Sequence, residues 1–539
     1  MEKVELSRRD LLTAFLGAPL ASLACRNRVR TSLPPGEIVG ASDRVGHRLR
    51  EAVHATPSDD AWQQHDVVIV GAGMSGLAAA WRLEHARFHD YLLLELEPVA
   101  GGTSRSGASR VSAYPWGAHY VPAPMSENRA LIRLLGEMGV LEGGVVAEEH
   151  LCRDPQERIF FRGRWYDGLY LYAGAGADDL RQLRAFESEI AKWVGWRDAR
   201  GRRAFTLPTA ACSDDAEVME LDRMSMRAWL DRRGFNSPRL RWLVDYACRD
   251  DYGARLDDTS AWAGVFYFAS RVPEPGQESL PLITWPEGNG RIAAHLSRAA
   301  RGRIETGWLV ANVVPTPGGV DVIAESGDGR HLRGIHAKRV IFAAPQFVAA
   351  RVIAPYREEV PAHVREFTYG SWLVANLTLR DRPRSSTFPL AWDNVLYESP
   401  SLGYVVATHQ SGIDYGATVL TYYYALCDAD PRASRQRLLS ANRDEWAEVA
   451  LADLSSAHPE IREMTERLDV MRWGHAMIRP RPGLISGPAR QAARQVYRNI
   501  HFAHSDLSGV ALFEEALYHG VRSAEEVLRA GGRPVETFL

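Results

Sequence analysis

Asp66-Val67-Val68-Ile69-Val70 and the six residues after it constrain this chain more than any other feature. The run is apolar and rich in β-branched residues, which is how a parallel strand buried on both faces reads. Gly71-Ala72-Gly73-Met74-Ser75-Gly76 follows without a gap, and Leu77 to Leu83 then has helical character. Gly71 permits the tight turn, Gly73 lets the backbone approach a pyrophosphate, and Gly76 lets helix and strand pack closely. The N–H groups around Met74 and Ser75 then open the helix toward the phosphates, at the positive end of its dipole. A glycine motif alone is weak evidence, but this one has its context. A second apolar strand, Tyr91 to Leu94, ends in Glu95, about twenty residues past the glycines, where a ribose-binding carboxylate belongs. Glu97, two residues on, is expected to be solvated.

Length bounds the rest. At 539 residues two or three domains are expected, since domains run to roughly 100–200 residues each. The formal net charge of −3 gives no reason to expect a nucleic-acid partner. Five cysteines, none in a CxxC pair, fit neither a zinc site nor a dense disulfide framework, so no metal is expected. Ser7-Arg8-Arg9-Asp10-Leu11-Leu12 opens a weakly apolar run ending at Cys25. It resembles a twin-arginine signal, which implies the export machinery for folded proteins and a periplasmic or cell-envelope address. Cys25 is either lost with this leader or the site of a lipid anchor. Residues 26–64 read as a polar linker.

Gly101-Gly102-Thr103-Ser104-Arg105 lies close behind Glu95. It resembles the GG-x-x-R motif of the flavin amine oxidase and phytoene desaturase superfamily, whose glycine pair and arginine wrap the FAD pyrophosphate. Arginine's planar fork of donors suits that task. Trp116-Gly117-Ala118-His119-Tyr120 resembles the segment whose backbone passes the flavin ring. Trp285 to Gly290 resembles the superfamily's P-x-G-G segment, and Ile304 to Val313 the strand whose valine, here Val310, meets adenine through its backbone. Near the carboxyl terminus, Ile500 to Ala503 reads as a strand, and Glu515-Ala516 with Gly520 as the start of a closing helix. The superfamily pattern is altered here. His504 replaces a glycine, the acid is displaced to Asp506, and Glu515 stands where a second glycine belongs.

The resemblance implies an α/β fold: an FAD/NAD(P)-binding Rossmann-like domain interleaved with an amine-oxidase-like α+β substrate-binding domain. The cofactor domain is expected at 66–125, 281–350 and 471–539. The substrate domain is expected at 126–280, mostly helical, and 351–470, with one long helix from Pro431 to about Leu454. FAD is expected to bind non-covalently, because no cysteine follows Cys427.

Flavin does the redox chemistry, and the protein supplies orientation and electrostatics. The expected function is an exported oxidoreductase moving a hydride from a small organic substrate, an amine among the candidates, to flavin N5. Dioxygen or a quinone-like acceptor then takes the electrons. Many relatives place a water-linked lysine on the strand that corresponds to Trp372–Asn376, which has none, and the three lysines of the chain lie elsewhere. His119 and His475 are the candidate proton carriers, because histidine titrates near neutral pH. Asp250, Asp251 and Tyr252 either line the pocket or close a helix end. Arg479 either binds an anionic group or forms a surface salt bridge. Two other readings stand: a carotenoid or lipid desaturase or isomerase, and a non-catalytic flavin-binding electron-transfer protein.

Overall fold

The computed structural model describes residues 32–51 and 56–539, so the expected signal with Cys25 lies outside the described residues. Two sheets organise the chain. The cofactor sheet has seven strands. Ile304–Thr306, Tyr91–Glu95, Trp62–Val70, Leu332–Phe342 and Ile500–Phe502 run parallel. Gly319–Ser326 and Trp308–Thr316 add an antiparallel meander. Val67 to Val70 and Tyr91 to Leu94 are buried on both faces, as their unbroken apolar runs require. Helices Met74–His85 and Phe513–Ala530 pack together on one face. Arg82 and Glu525 form a buried ion pair between them at 3.1 Å. A Cβ on Gly520 would lie 2.2 Å from the Ser75 carbonyl, so only glycine allows these helices to approach so closely.

The substrate sheet has eight strands, in the order Ile38–Gly40, Thr465–Ile478, Tyr369–Leu379, Thr418–Ala425, Gly403–Val406, Asp393–Leu396, Glu157–Phe161, Arg164–Asp167. A helical layer with its own core, including Trp229, Trp262 and Phe266, covers part of it. Ser237 caps helix Pro238–Tyr252 by accepting from the Leu240 amide.

The structure adds one feature to the sequence reading and departs from it in three places. Residues 126–280, mostly helical as expected, also supply strands Glu157–Phe161 and Arg164–Asp167 at one end of the sheet. The expected boundary at 471 falls inside strand Thr465–Ile478, which belongs to the substrate sheet. The supposed linker contains strand Ile38–Gly40, paired in parallel with that same strand. The helix expected from Pro431 to Leu454 breaks at Ala441, because Asn442 and Glu445 form a capping box that starts a new helix at Arg443. Cys152, Cys212, Cys248 and Cys427 are free thiols.

Candidate active site

The glycine loop forms a cradle of backbone donors. Gly71 turns the chain at φ +97°. A Cβ on Gly76 would sit 1.9 Å from the Gly71 carbonyl, whereas one on Gly73 would meet nothing within 4 Å. Gly73 caps helix Met74–His85 without a side-chain bond. The amides of Gly73, Met74, Ser75 and Gly76 find no backbone acceptor outside that helix. Buried Ser75 Oγ also lacks a partner. Gly102 faces this space from the second loop, where an added Cβ would lie 3.2 Å from Gly73 Cα. Unpaired donors at a helix N-terminus, facing an open space, suit a pyrophosphate. Glu95 ends its strand as expected, accepting from the amides of Ala72 at 2.6 Å and Glu97 at 2.8 Å.

Arg105 lies beside the cradle, but its guanidinium is partly engaged. It pairs with Glu97 at 3.0 Å and lies over the Trp473 ring. Glu97 is therefore not merely solvated. It also accepts from the Ser42 amide and hydroxyl, which ties the amino-terminal arm to the cofactor domain.

The segment 116–120 is held by every one of its carbonyls. Trp116 accepts from Trp473 Nε1 at 2.6 Å and Gly117 from the Tyr423 hydroxyl at 2.9 Å. Ala118 accepts from the Asn289 amide, His119 from Thr284 Oγ1, and Tyr120 from Asn289 Nδ2. Such over-determined backbone is a rigid wall. The His119 ring stacks on Tyr423 at 4.9 Å and meets Trp392 and Tyr120 at 5.3 and 5.2 Å. Burial pulls the His119 imidazole down to about 4, so it is neutral at physiological pH.

Next to Tyr423, on which His119 stacks, lies a group of carboxyls that sequence reading only half found. Asp393 and Glu157 sit directly opposite one another on parallel strands. Asp250 adds a third charge from the end of helix Pro238–Tyr252. Burial, reinforced by Asp251, pushes the Asp250 carboxyl up to about 7. Burial with Asp167 nearby does the same for Glu157, also to about 7. Burial, then Glu157 and Asp250, raise Asp393 well above the usual carboxylate range. Asp250, Glu157 and Asp393 are desolvated yet keep accessible surface. Desolvated carboxyls that keep some accessible surface suit the lining of a recess, here an acid chamber, better than a packed core. Tyr246 donates to Asp393 at 3.2 Å, and Tyr120, Tyr267, Trp392 and Tyr423 supply aromatic faces.

Asp251 is neutralised by Arg271 at 3.0 Å, and Tyr252 donates to the Ala263 carbonyl. The 250–252 cluster is thus split: Asp250 faces the chamber, and the other two serve structure. Glu514, on the first turn of the carboxyl-terminal helix, has an unpartnered buried Oε1. Burial raises it to about 7 against the pull of Arg271. Arg271 is the cation that Asp250, Asp251 and Glu514 share, with Arg249 also acting on Asp250. Sequence reading missed Glu157, Arg271, Asp393 and Glu514, because they come from separate segments with no shared motif.

The remaining expected residues scatter. His475 is not with His119: it stacks on Phe347 at 4.0 Å, and burial, then Arg435, lower it to about 3. Asp506 accepts from the Tyr369 hydroxyl and the Gln346 amide, and its carboxylate lies 3.0 Å from His504 Nδ1, which accepts from the Asp506 amide. Burial would raise its pKa, yet those partners hold it below the ordinary value. Glu515 is fully buried and bonded to Thr209 and Ser508. Ala516 is half-buried on the same helix, and Val310 lies buried in the cofactor sheet beside a bulge. Arg479 pairs with Asp258 at 2.7 Å, a salt bridge in which Arg479 itself is buried. No lysine enters the chamber among the described residues: Lys192 and Lys338 form exposed ion pairs. The strand position paired with Tyr423 and Met471 is the buried Val374.

The sequence profile of flavin containing amine oxidoreductases matches residues 74–528. The chain belongs to that family. Its members bind flavin, and the cradle of free amides fits FAD. Among curated proteins the chain is 23% identical to oxidoreductase PigB of Serratia sp. (strain ATCC 39006), over 86% of this chain and 75% of PigB. Putrescine oxidase, solved with putrescine bound, superposes with a TM-score of 0.64 at 17% identity, over 87% of this chain and all of that one. A conjugated-linoleic-acid-producing fatty acid isomerase from P. acnes gives a TM-score of 0.59 at 14% identity, over 86% and 98%. The family match establishes an FAD-dependent oxidoreductase, and the structural likenesses its amine-oxidase fold.

Proposed function

We propose that the protein oxidises a cationic amine held in the acid-lined chamber beside non-covalently bound FAD. One observation carries this reading: the excess of desolvated carboxyls, interleaved with aromatic rings, beside the Tyr423 ring on which His119 stacks. An ammonium group is the cation such a chamber recognises, by ion pairing and by cation–π contact. FAD bound in the cradle supplies an acceptor for the two electrons that leave the substrate carbon, and dioxygen or a quinone-like acceptor takes them onward.

The chain's own groups then have defined tasks. Asp393 and Glu157 hold the ammonium. Asp250, with a pKa near 7, accepts the proton that an ammonium must lose before its carbon can be oxidised. Neutral His119 packs against the substrate and fixes the wall without carrying charge. His475, removed from this group, positions the Phe347 and Tyr369 rings. The charged lining disfavours a lipid chain, which would leave several carboxyls buried and unpaired. We also propose that the chain is exported through its twin-arginine leader, which fractionation of the native cell would test.

Purified protein that bleaches at ~450 nm on anaerobic mixing with mono- and diamines, and not with polyenes or fatty acids, supports this function. Bleaching by polyenes alone transfers the case to the desaturase reading. A yellow protein that no substrate reduces transfers it to electron transfer.

A further inference from the structure

A second cavity, of about 140 Å³, opens where the helical layer meets the carboxyl-terminal helix. Its wall carries Arg202, Arg490, Arg494, Tyr518, His519 and Asp214. The positive charges are unevenly answered. Arg202 is paired with Asp198 and Asp214. Arg490 donates only to backbone carbonyls, those of Ile485 and Ser508. Arg494 and the Tyr518 hydroxyl make no side-chain hydrogen bond or ion pair among the described residues. The field they create is visible at His519, whose imidazole is kept neutral by burial and by Arg522, Arg494 and Arg490 around it. Glu515 answers part of this charge through Arg490, but its oxygens are already taken by Thr209 and Ser508.

We propose that this cavity binds a phosphate group, either free or terminal on a small metabolite. Two unpaired donors and a guanidinium held only by carbonyls match the several lone pairs of an oxyanion. The volume admits one such group. Occupancy would brace the carboxyl-terminal helix against residues 202–219, because the wall draws on both.

Calorimetric titration of the FAD-loaded protein with inorganic phosphate, at constant ionic strength, tests the site. Saturable one-site binding is expected, weakened about tenfold in Arg494→Gln and tightened about threefold in Asp214→Asn, which removes a competing carboxylate. The flavin spectrum of both variants should match the parent. Glycerol phosphate binding more tightly than inorganic phosphate identifies a metabolite as occupant, and the reverse identifies the free ion. No saturable binding of either probe, or undiminished binding in Arg494→Gln, overturns the proposal.

Discussion

The cofactor cradle and the acid chamber are built on opposite plans. The cradle uses backbone: four amides of one loop, glycines that keep the space open, and two buried helices that share its position. Its residues lie within one short stretch, 71–105. The chamber uses side chains: Glu157, Asp250, Arg271, Asp393 and Glu514 arrive from five separate segments. Backbone sites tolerate side-chain change but not a lost glycine. Side-chain sites tolerate backbone neighbours but not a lost charge. The cofactor function is thus set locally, and the substrate preference by long-range packing.

The largest effect should follow from Gly76→Val. Its Cβ would collide with the Gly71 carbonyl, so loss of at least ~3 kcal/mol of cofactor binding is expected, read as absent absorbance at ~450 nm. Next, Asp393→Asn should keep its flavin while kcat/KM for a cationic amine falls about 100-fold, because a buried ion pair is lost. If both variants lose flavin equally, the two-plan contrast fails. The third effect is in pH. Asp250 and Glu157 titrate near 7, so KM for a cationic amine should fall as pH rises from 6 to 8, where the carboxylates form. A KM that is flat over this range contradicts their role.

The smallest effect concerns stability. The folded-state pKa of Asp250 lies above its unfolded value. The stability tied to its protonated form is complete below the unfolded value and is lost as pH rises through about 7. Asp250→Asn, which mimics that protonated form, should therefore raise Tm by about 2–4 °C at pH 8 and leave it unchanged near pH 4. A gain of the same size at both pH values would point to simple repacking.

This contrast also explains what the sequence revealed. The strand–glycine loop–helix unit and Glu95 were legible because each residue's role depends on neighbours a few positions away. Strand Glu157–Phe161 was not, since its pairing with Asp393–Leu396 joins segments more than two hundred residues apart. Asp393 and Glu157 carry no motif; only their parallel register makes them partners. His475 looked equivalent to His119 in its tryptophan-glycine setting, yet strand Thr465–Ile478 carries it to Phe347 and Tyr369 instead. Glu97 looked solvated because Ser42, its hydroxyl donor, approaches from an arm that reads as a linker.

The most direct test of the central claim is anaerobic flavin reduction by a diamine and by the uncharged diol of equal length, in the parent and in Asp393→Asn. The account predicts rapid bleaching of the parent by the diamine alone, and a large loss of that preference in the variant with its flavin intact. Equal reduction of the parent by both compounds, or a preference untouched by Asp393→Asn, would contradict it.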